Sequence, residues 1–380
     1  MLLTPYGQIM LTPAYKKDPL NSAINSTLVQ LPAPVNLSSL WNIGSLLSIC
    51  LIIQIITGVL LASSYSPSIS NRFYLVNFIT ENSDKGWLIR YIHANGASLF
   101  FICIYTHIGR GIYYKSYFMV HTWIVGVTII IITIAAAFLG YVLPVNQISF
   151  WGASVITNLF SEVPYIGPEL VQTIWGGPLV RDPTIIRFFT FHFIIPFIIL
   201  ALTIVHIIYL HTTGSSNNLG VTSVKKLIFH PFLSIKDIVG VFIVLIVFLY
   251  ICLHQPLVLG DDENFVLANP SVTPHHIQPE WYFLFAYAIL RSIPNKIGGV
   301  IALALSVIVL YTLPFTSQAP KKRTNLQPSN KIMFWILVGT VLALSWIGAR
   351  PVEEPFILVG QLLTVLYFSF FILSPIINKK

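Results

Sequence analysis

The sequence predicts an all-α protein that crosses a membrane eight times. Hydrophobic residues make up 55% of its 380 positions and charged residues only 9%, where a soluble domain carries about 25%. The apolar residues gather in eight separate stretches, each near the roughly 20 residues that a membrane helix needs. Those runs are too long for the alternating ten-residue segments of an outer-membrane barrel. A soluble monomer is thereby excluded. Disorder is excluded too, because abundant aromatics and few charges are the reverse of its signature.

Residues 1–40 read as a surface segment on the inner side. Lys16, Lys17 and Asp18 lead into polar sequence and LPAP, with no apolar core of a secretory signal. The spans follow at about 41–62, 86–113, 120–144, 184–212, 237–255, 297–316, 331–349 and 355–377. Two long connections, 145–183 and 256–296, fall on the same side and hold most of its acids. Connections of that length without strong polarity fold into short surface helices or carry function. Eight crossings put both termini on one side. That side has thirteen Lys and Arg against two acids, and the other has eight against eleven. Basic residues collect on the cytoplasmic or matrix face, so both termini face inward. The formal charge of +8 therefore reports topology. No clustered basic face suggests nucleic acid as a partner.

Four of the ten histidines lie well inside spans: His93 and His107 in the second, His192 and His206 in the fourth. Each pair is fourteen residues apart, close to four helical turns, so each pair shares one helix face. The two spans run in the same direction, which sets His93 opposite His192 near the outside and His107 opposite His206 near the inside. Two facing imidazoles at each of two levels suggest two axially ligated haems stacked across the membrane, in the core of a helix bundle. Cys50, Cys103 and Cys252 form no CxxCH, so covalent attachment is excluded. The bland alternative is polar histidines packed between helices. Intramembrane ionisable residues are functional by default, and the doubled interval strengthens that reading.

The glycines repeat the interval. Gly44 and Gly58 in the first span, and Gly126 and Gly140 in the third, leave side-chain-free backbone at two depths, as a flat macrocycle between helices requires. Ordinary helix packing is the alternative for any one of them. Arg90 and Arg110 stand three residues outside the two histidines of the second span, where each could pair a haem propionate or simply snorkel. Pro196, four residues after His192, predicts a kink near the outer level.

HANGASLFFICIYTHIGRG, GYVLP, SFWGASVITNL, RFFTFHF and PEWYFLFAYAILRSIPNK together resemble mitochondrial cytochrome b, the dihaem membrane subunit of the respiratory cytochrome bc complex. The resemblance covers nearly the whole chain. It implies two non-covalent b-type haems, low-potential outside and high-potential inside, in a bundle over 41–213, followed by a four-helix part over 214–380. It implies quinol oxidation at an outer site and ubiquinone reduction at an inner one, coupled to proton translocation. It also implies a Rieske iron–sulfur subunit and a cytochrome c-type subunit as partners, a homodimeric complex, and the mitochondrial inner membrane with the termini in the matrix. Carried over by motif, Tyr141, Gly152, Pro279, Glu280 and Tyr287 belong to the outer site, with Glu280 accepting a quinol proton. His211, Ser215 and Asp237 belong to the inner site. The chain departs from the family at Val145–Asn146, where Trp–Gly is usual, at His275, usually proline, and at Thr212, usually an acid.

Two rival readings are weaker. A membrane NADPH oxidase needs a nucleotide-binding domain, and the chain has no GxGxxG; a small ascorbate-linked dihaem cytochrome leaves the last four spans unexplained. A transporter calls for inverted repeats and midplane charges, which the sequence does not display.

Overall fold

The structure is a computed structural model that describes residues 18–68, 71–219, 223–274, 277–316 and 328–377. His275 lies outside the described residues. Helices long and apolar enough to cross a bilayer run Ser39–Ser64, Gly86–Tyr113, Val120–Val142, Asp182–Thr213, Phe232–His254, Lys296–Thr316, Pro328–Gly348 and Phe356–Ile377. The fifth shows the largest difference from the hydropathy reading, starting at Phe232. Hydropathy stops at charge, but the helical backbone does not. Lys236 and Asp237 are taken into its early turns, and Lys236 Nζ donates to the Leu37 carbonyl at 2.5 Å.

Both long connections fold into short helices, as their length suggests. Gln147–Asn158 and Gly167–Trp175 form in the first, and Leu284–Ser292 in the second. A helix at Arg72–Asn82 was not expected. Its Arg72 is 4% exposed and pairs with Asp182 at 2.9 Å, which ties the segment after the first span to the start of the fourth. The all-helical reading has one small exception. Pro32–Pro34 and Lys226–Ile228 form an antiparallel ribbon that joins the N-terminal segment to the connection after the fourth span. The fourth span continues as helix through Pro196, which leaves the His192 carbonyl without its usual intrahelical donor.

The third span packs most extensively on the fourth, and the first on the second. Leu46, Cys50, Phe100, Cys103, Ile104, Ile130, Ala136 and Ile199 interdigitate between these four spans. A second cluster joins Leu284–Ser292 to the last three spans. Phe191, Phe197 and Ile204 of the fourth span and Phe242, Ile246 and Tyr250 of the fifth point outward, as befits helices whose solvent is lipid.

Candidate functional site

The second and fourth spans bring the four histidines together in the two pairs that their spacing predicts. The ring centres of His93 and His192 are 6.2 Å apart, and those of His107 and His206 are 6.3 Å apart. An imidazole nitrogen sits about 1 Å from its ring centre and a metal–imidazole bond is about 2 Å long, so two histidines opposed across one ion hold their centres roughly 6 Å apart. Both pairs have that spacing. Among the described residues no three His, Cys, Asp or Glu side chains cluster tightly enough to hold a bare ion. Two axial ligands with nothing else from the protein suit an iron whose remaining positions are filled by a macrocycle.

The hydrogen bonds at the outer pair select the tautomer. His192 Nδ1 lies 2.8 Å from the Ala136 carbonyl, which only accepts, so Nδ1 carries the proton. The Thr57 hydroxyl spends its own proton on the Ile53 carbonyl at 2.7 Å and so accepts from His93 Nδ1 at 2.9 Å. Both Nε2 atoms therefore keep bare lone pairs, and both rings are oriented through their far nitrogen. The inner pair is less settled. His107 Nδ1 faces Arg110 Nη2 at 3.3 Å, a donor that cannot accept, so a metal on Nε2 requires that contact to open. Arg110 Nε and His206 Nδ1 are both buried without a hydrogen bond; the latter has only a poorly aligned contact with the Thr122 backbone.

Each predicted glycine faces one of these rings. A Cβ on Gly58 would stand 3.0 Å from His93 Cε1, on Gly126 3.1 Å from His206 Cε1, and on Gly44 3.8 Å from His107 Cε1. On Gly140 it would collide with the His192 ring. Of the two arginines, Arg90 donates to Thr80 Oγ1 at 2.7 Å, and Arg110 lies over the Trp41 ring at 5.3 Å.

At the end of the spans where the two long connections lie, Tyr141, Gly152, Pro279, Glu280 and Tyr287 line a single cavity with apolar walls from Phe138, Val142, Ile148 and Phe283. They come from the third span, the helix Gln147–Asn158, and the helix Leu284–Ser292 with the segment leading into it. A Cβ on Gly152 would meet nothing within 4 Å. Burial is the main force on the Glu280 carboxyl. With the negative charge of Asp261 it pushes the pKa up to about 7, against a contact with the Tyr141 hydroxyl that favours the ionised form. Glu280 precedes the turn Trp281–Phe283, yet its side chain makes no capping bond there. The cavity wall is pinned to the bundle by Trp281 Nε1, which donates to Ser98 Oγ at 3.0 Å, and by the Tyr105 hydroxyl, which donates to the Tyr282 carbonyl.

Sequence reasoning missed how the outer connection is latched. Asn146 and Gln147 are both buried, and each grips the segment 264–272. Gln147 Nε2 donates to the Val272 carbonyl at 2.6 Å, and its Oε1 accepts from the Asn269 N–H at 2.7 Å. Val145 before them has φ +54°, a left-handed conformation that a β-branched residue rarely takes. The flagged departure from the family thus sits on a strained backbone.

The inner residues are more scattered. His211 is in the last turn of the fourth span, Ser215 in the connection beyond it, and Asp237 in the fifth span beside the Ser45 hydroxyl. No hydrogen bond or ion pair joins the three.

Two family descriptions match the chain: "Cytochrome b/b6/petB" over residues 28–214 and "Cytochrome b(C-terminal)/b6/petD" over residues 267–368. A solved chain of a "Hyperthermophilic respiratory Complex III" is 33% identical, with 96% of this chain and 97% of that one aligned at a TM-score of 0.86. The eight spans, the facing histidines and these matches agree, and the chain belongs to the cytochrome b family.

Proposed function

We propose that the chain is the cytochrome b subunit of a respiratory complex III, a quinol–cytochrome c oxidoreductase. The observation that carries this reading is the pair of opposed histidine rings at each of two depths, 6.2 and 6.3 Å apart. His93 and His192 hold the outer b-type haem, and His107 and His206 the inner one, both without covalent attachment. Bound there, each haem supplies an iron that changes oxidation state by one electron. Gly44, Gly58, Gly126 and Gly140 keep the helix faces open for the macrocycles. Arg90 and Arg110 pair their carboxylates, and the unsatisfied Arg110 Nε supports the second assignment.

The outer cavity takes quinol. Its apolar walls receive the ring, and Glu280, with a pKa near the working pH, accepts a proton as the substrate is oxidised. Tyr141, Gly152, Pro279 and Tyr287 shape the pocket around it. His211, Ser215 and Asp237 serve ubiquinone reduction on the inner side. Residues 41–213 form the dihaem bundle and 214–380 a second four-helix part. The functional unit is a homodimeric complex with a Rieske iron–sulfur subunit and a cytochrome c-type subunit. The mitochondrial inner membrane, with the termini in the matrix, is the location that the charge asymmetry and the motifs favour.

Reduced-minus-oxidised spectra with a redox titration test the reading. Two b-type components with different midpoints are expected, together with an iron-to-chain ratio near two and complete haem release into acid–acetone. A ratio of one, or haem retained on the chain, is incompatible with it. The glycines provide a finer check. Gly58→Val drives a branched side chain into His93 and is expected to alter the outer component alone; Gly126→Val presses on His206 and is expected to alter the inner one. Two unchanged spectra would leave these glycines as helix-packing residues only.

A further inference from the structure

The fourteen-residue repeat that places the glycines of the first span does not extend to their neighbours. Gly58 follows Thr57, whereas Gly44, one repeat earlier, follows Ile43. Around Gly58 the span meets His93 at three points. Gln54 Nε2 donates to the His93 carbonyl at 3.0 Å, closing on Gly96, where a Cβ would overlap the amide. Thr57 Oγ1 is 2.9 Å from His93 Nδ1, and Gly58 leaves room for the Cε1 edge of the same ring. The Thr57 hydroxyl is buried and its proton is held by the Ile53 carbonyl at 2.7 Å, so towards the ring it can only accept.

At the inner level Ile43 occupies the corresponding position, and its side chain has nothing to accept with. His107 Nδ1 faces the Arg110 guanidinium at 3.3 Å instead, a donor that carries positive charge. The third span treats the two levels in the same manner. Ala136, four residues before Gly140, accepts from His192 Nδ1 at 2.8 Å, and Thr122, four before Gly126, turns its backbone to His206 Nδ1 in a poorer contact. The difference in kind between the levels is therefore concentrated on the first span, in Thr57 against Ile43. A hydrogen bond from the far nitrogen of a metal-bound imidazole makes the ligating nitrogen a stronger donor. A stronger donor favours ferric over ferrous iron, and such outer-shell bonding is one of the protein's levers on haem potential. We propose that Thr57 is a positioning residue that, through the proton on His93 Nδ1, lowers the potential of the outer haem relative to the inner one. It thereby helps to make the outer-to-inner passage of an electron downhill. The inference rests on the reading that the two histidine pairs hold haems.

The test is a redox titration of the assembled complex, following the two b components by their absorbance. Thr57→Val keeps the shape of the side chain and leaves His93 Nδ1 without its acceptor. The one-electron equilibrium of the outer haem should shift towards the reduced form by up to about fivefold, the order of one ordinary hydrogen bond. With about 59 mV per tenfold for one electron, that is a rise of up to about 40 mV. The inner midpoint and the absorbance bands of both components should stay as in the wild type. Thr57→Ala loosens the packing that valine preserves, yet it should raise the outer midpoint as well. Thr57→Ser can make the same bond to the carbonyl four residues back and should restore the wild-type value. An outer midpoint that fails to rise in the valine or the alanine variant, or a rise that persists with serine, overturns the proposal and leaves Thr57 as a packing residue. A wild-type complex without two b components would overturn the underlying reading instead, before any substitution is made.

Discussion

His206→Leu is expected to remove one of two haem components from the spectrum and to stop sustained turnover. Leucine fills the space of the ring and suits the lipid, so the fourth span should insert normally. What is lost is one of the two imidazoles whose ring centres lie 6.3 Å apart at the inner level. The iron-to-chain ratio should fall towards one, with the outer component intact, since His93 and His192 keep their bonds to Thr57 and Ala136. Rapid mixing with quinol should then give one reduction at the outer level followed by a stall. A variant that retains both components, or turns over at the wild-type rate, would separate His206 from haem binding and from electron flow across the membrane.

Glu280→Gln is expected to slow quinol oxidation by roughly tenfold to a hundredfold, at or just below the low end of the about 10²–10⁴-fold that a positioned base contributes, because water can take over part of its role. Glutamine keeps the shape and the place in the cavity wall beside Tyr141 but cannot take a proton. The pH dependence gives the sharper readout. Burial holds the Glu280 pKa at about 7. Below that the carboxyl is protonated and cannot accept, and above it the carboxylate can, so wild-type turnover should rise through about pH 7. In Glu280→Gln that rise should disappear, while quinone reduction at the inner site and both haem spectra remain unchanged. Matching rates and matching pH profiles would make Glu280 a bystander in the cavity wall.

The spans were legible because each is an unbroken apolar run, and hydropathy needs no knowledge of partners. The histidine pairs and their glycines were legible for a related reason: a fourteen-residue interval repeated on four helices survives as a pattern in one dimension. Arg72 shows where such reading ends. Nothing around it announces a buried cation, since its partner Asp182 is 110 positions away and meets it only after the outer connections fold. The helix Arg72–Asn82 is likewise too short and too mixed in polarity to announce itself. The outer cavity collects residues from three separate segments, so motif resemblance could name them but spacing could not. Asn146 is the clearest case. As a letter it was only a departure from the family, and its bonds to Ser149 and Asn264 exist only once the connection is latched.

The apolar layer between the two histidine levels also acts as an insulator. Phe100, midway between His93 and His107, packs there with Leu46, Leu51, Ile104, Ile130 and Ile199. The one buried hydroxyl on that stretch of the third span, Thr133, is turned back onto the Ile129 carbonyl at 2.8 Å. A proton needs an unbroken file of donors and acceptors, and this layer provides none among the described residues; an electron needs only a tunnelling distance. The two currents are therefore separated by the packing itself. The levels lie about 21 Å apart along the helix axis, roughly two thirds of a 30 Å hydrocarbon thickness. A full crossing against 100 mV requires about 2.3 kcal/mol per charge, so this passage stores about 1.5 kcal/mol for each electron. A polar residue at Phe100 or Ile130 would admit water, and the membrane would discharge through the same bundle that charges it.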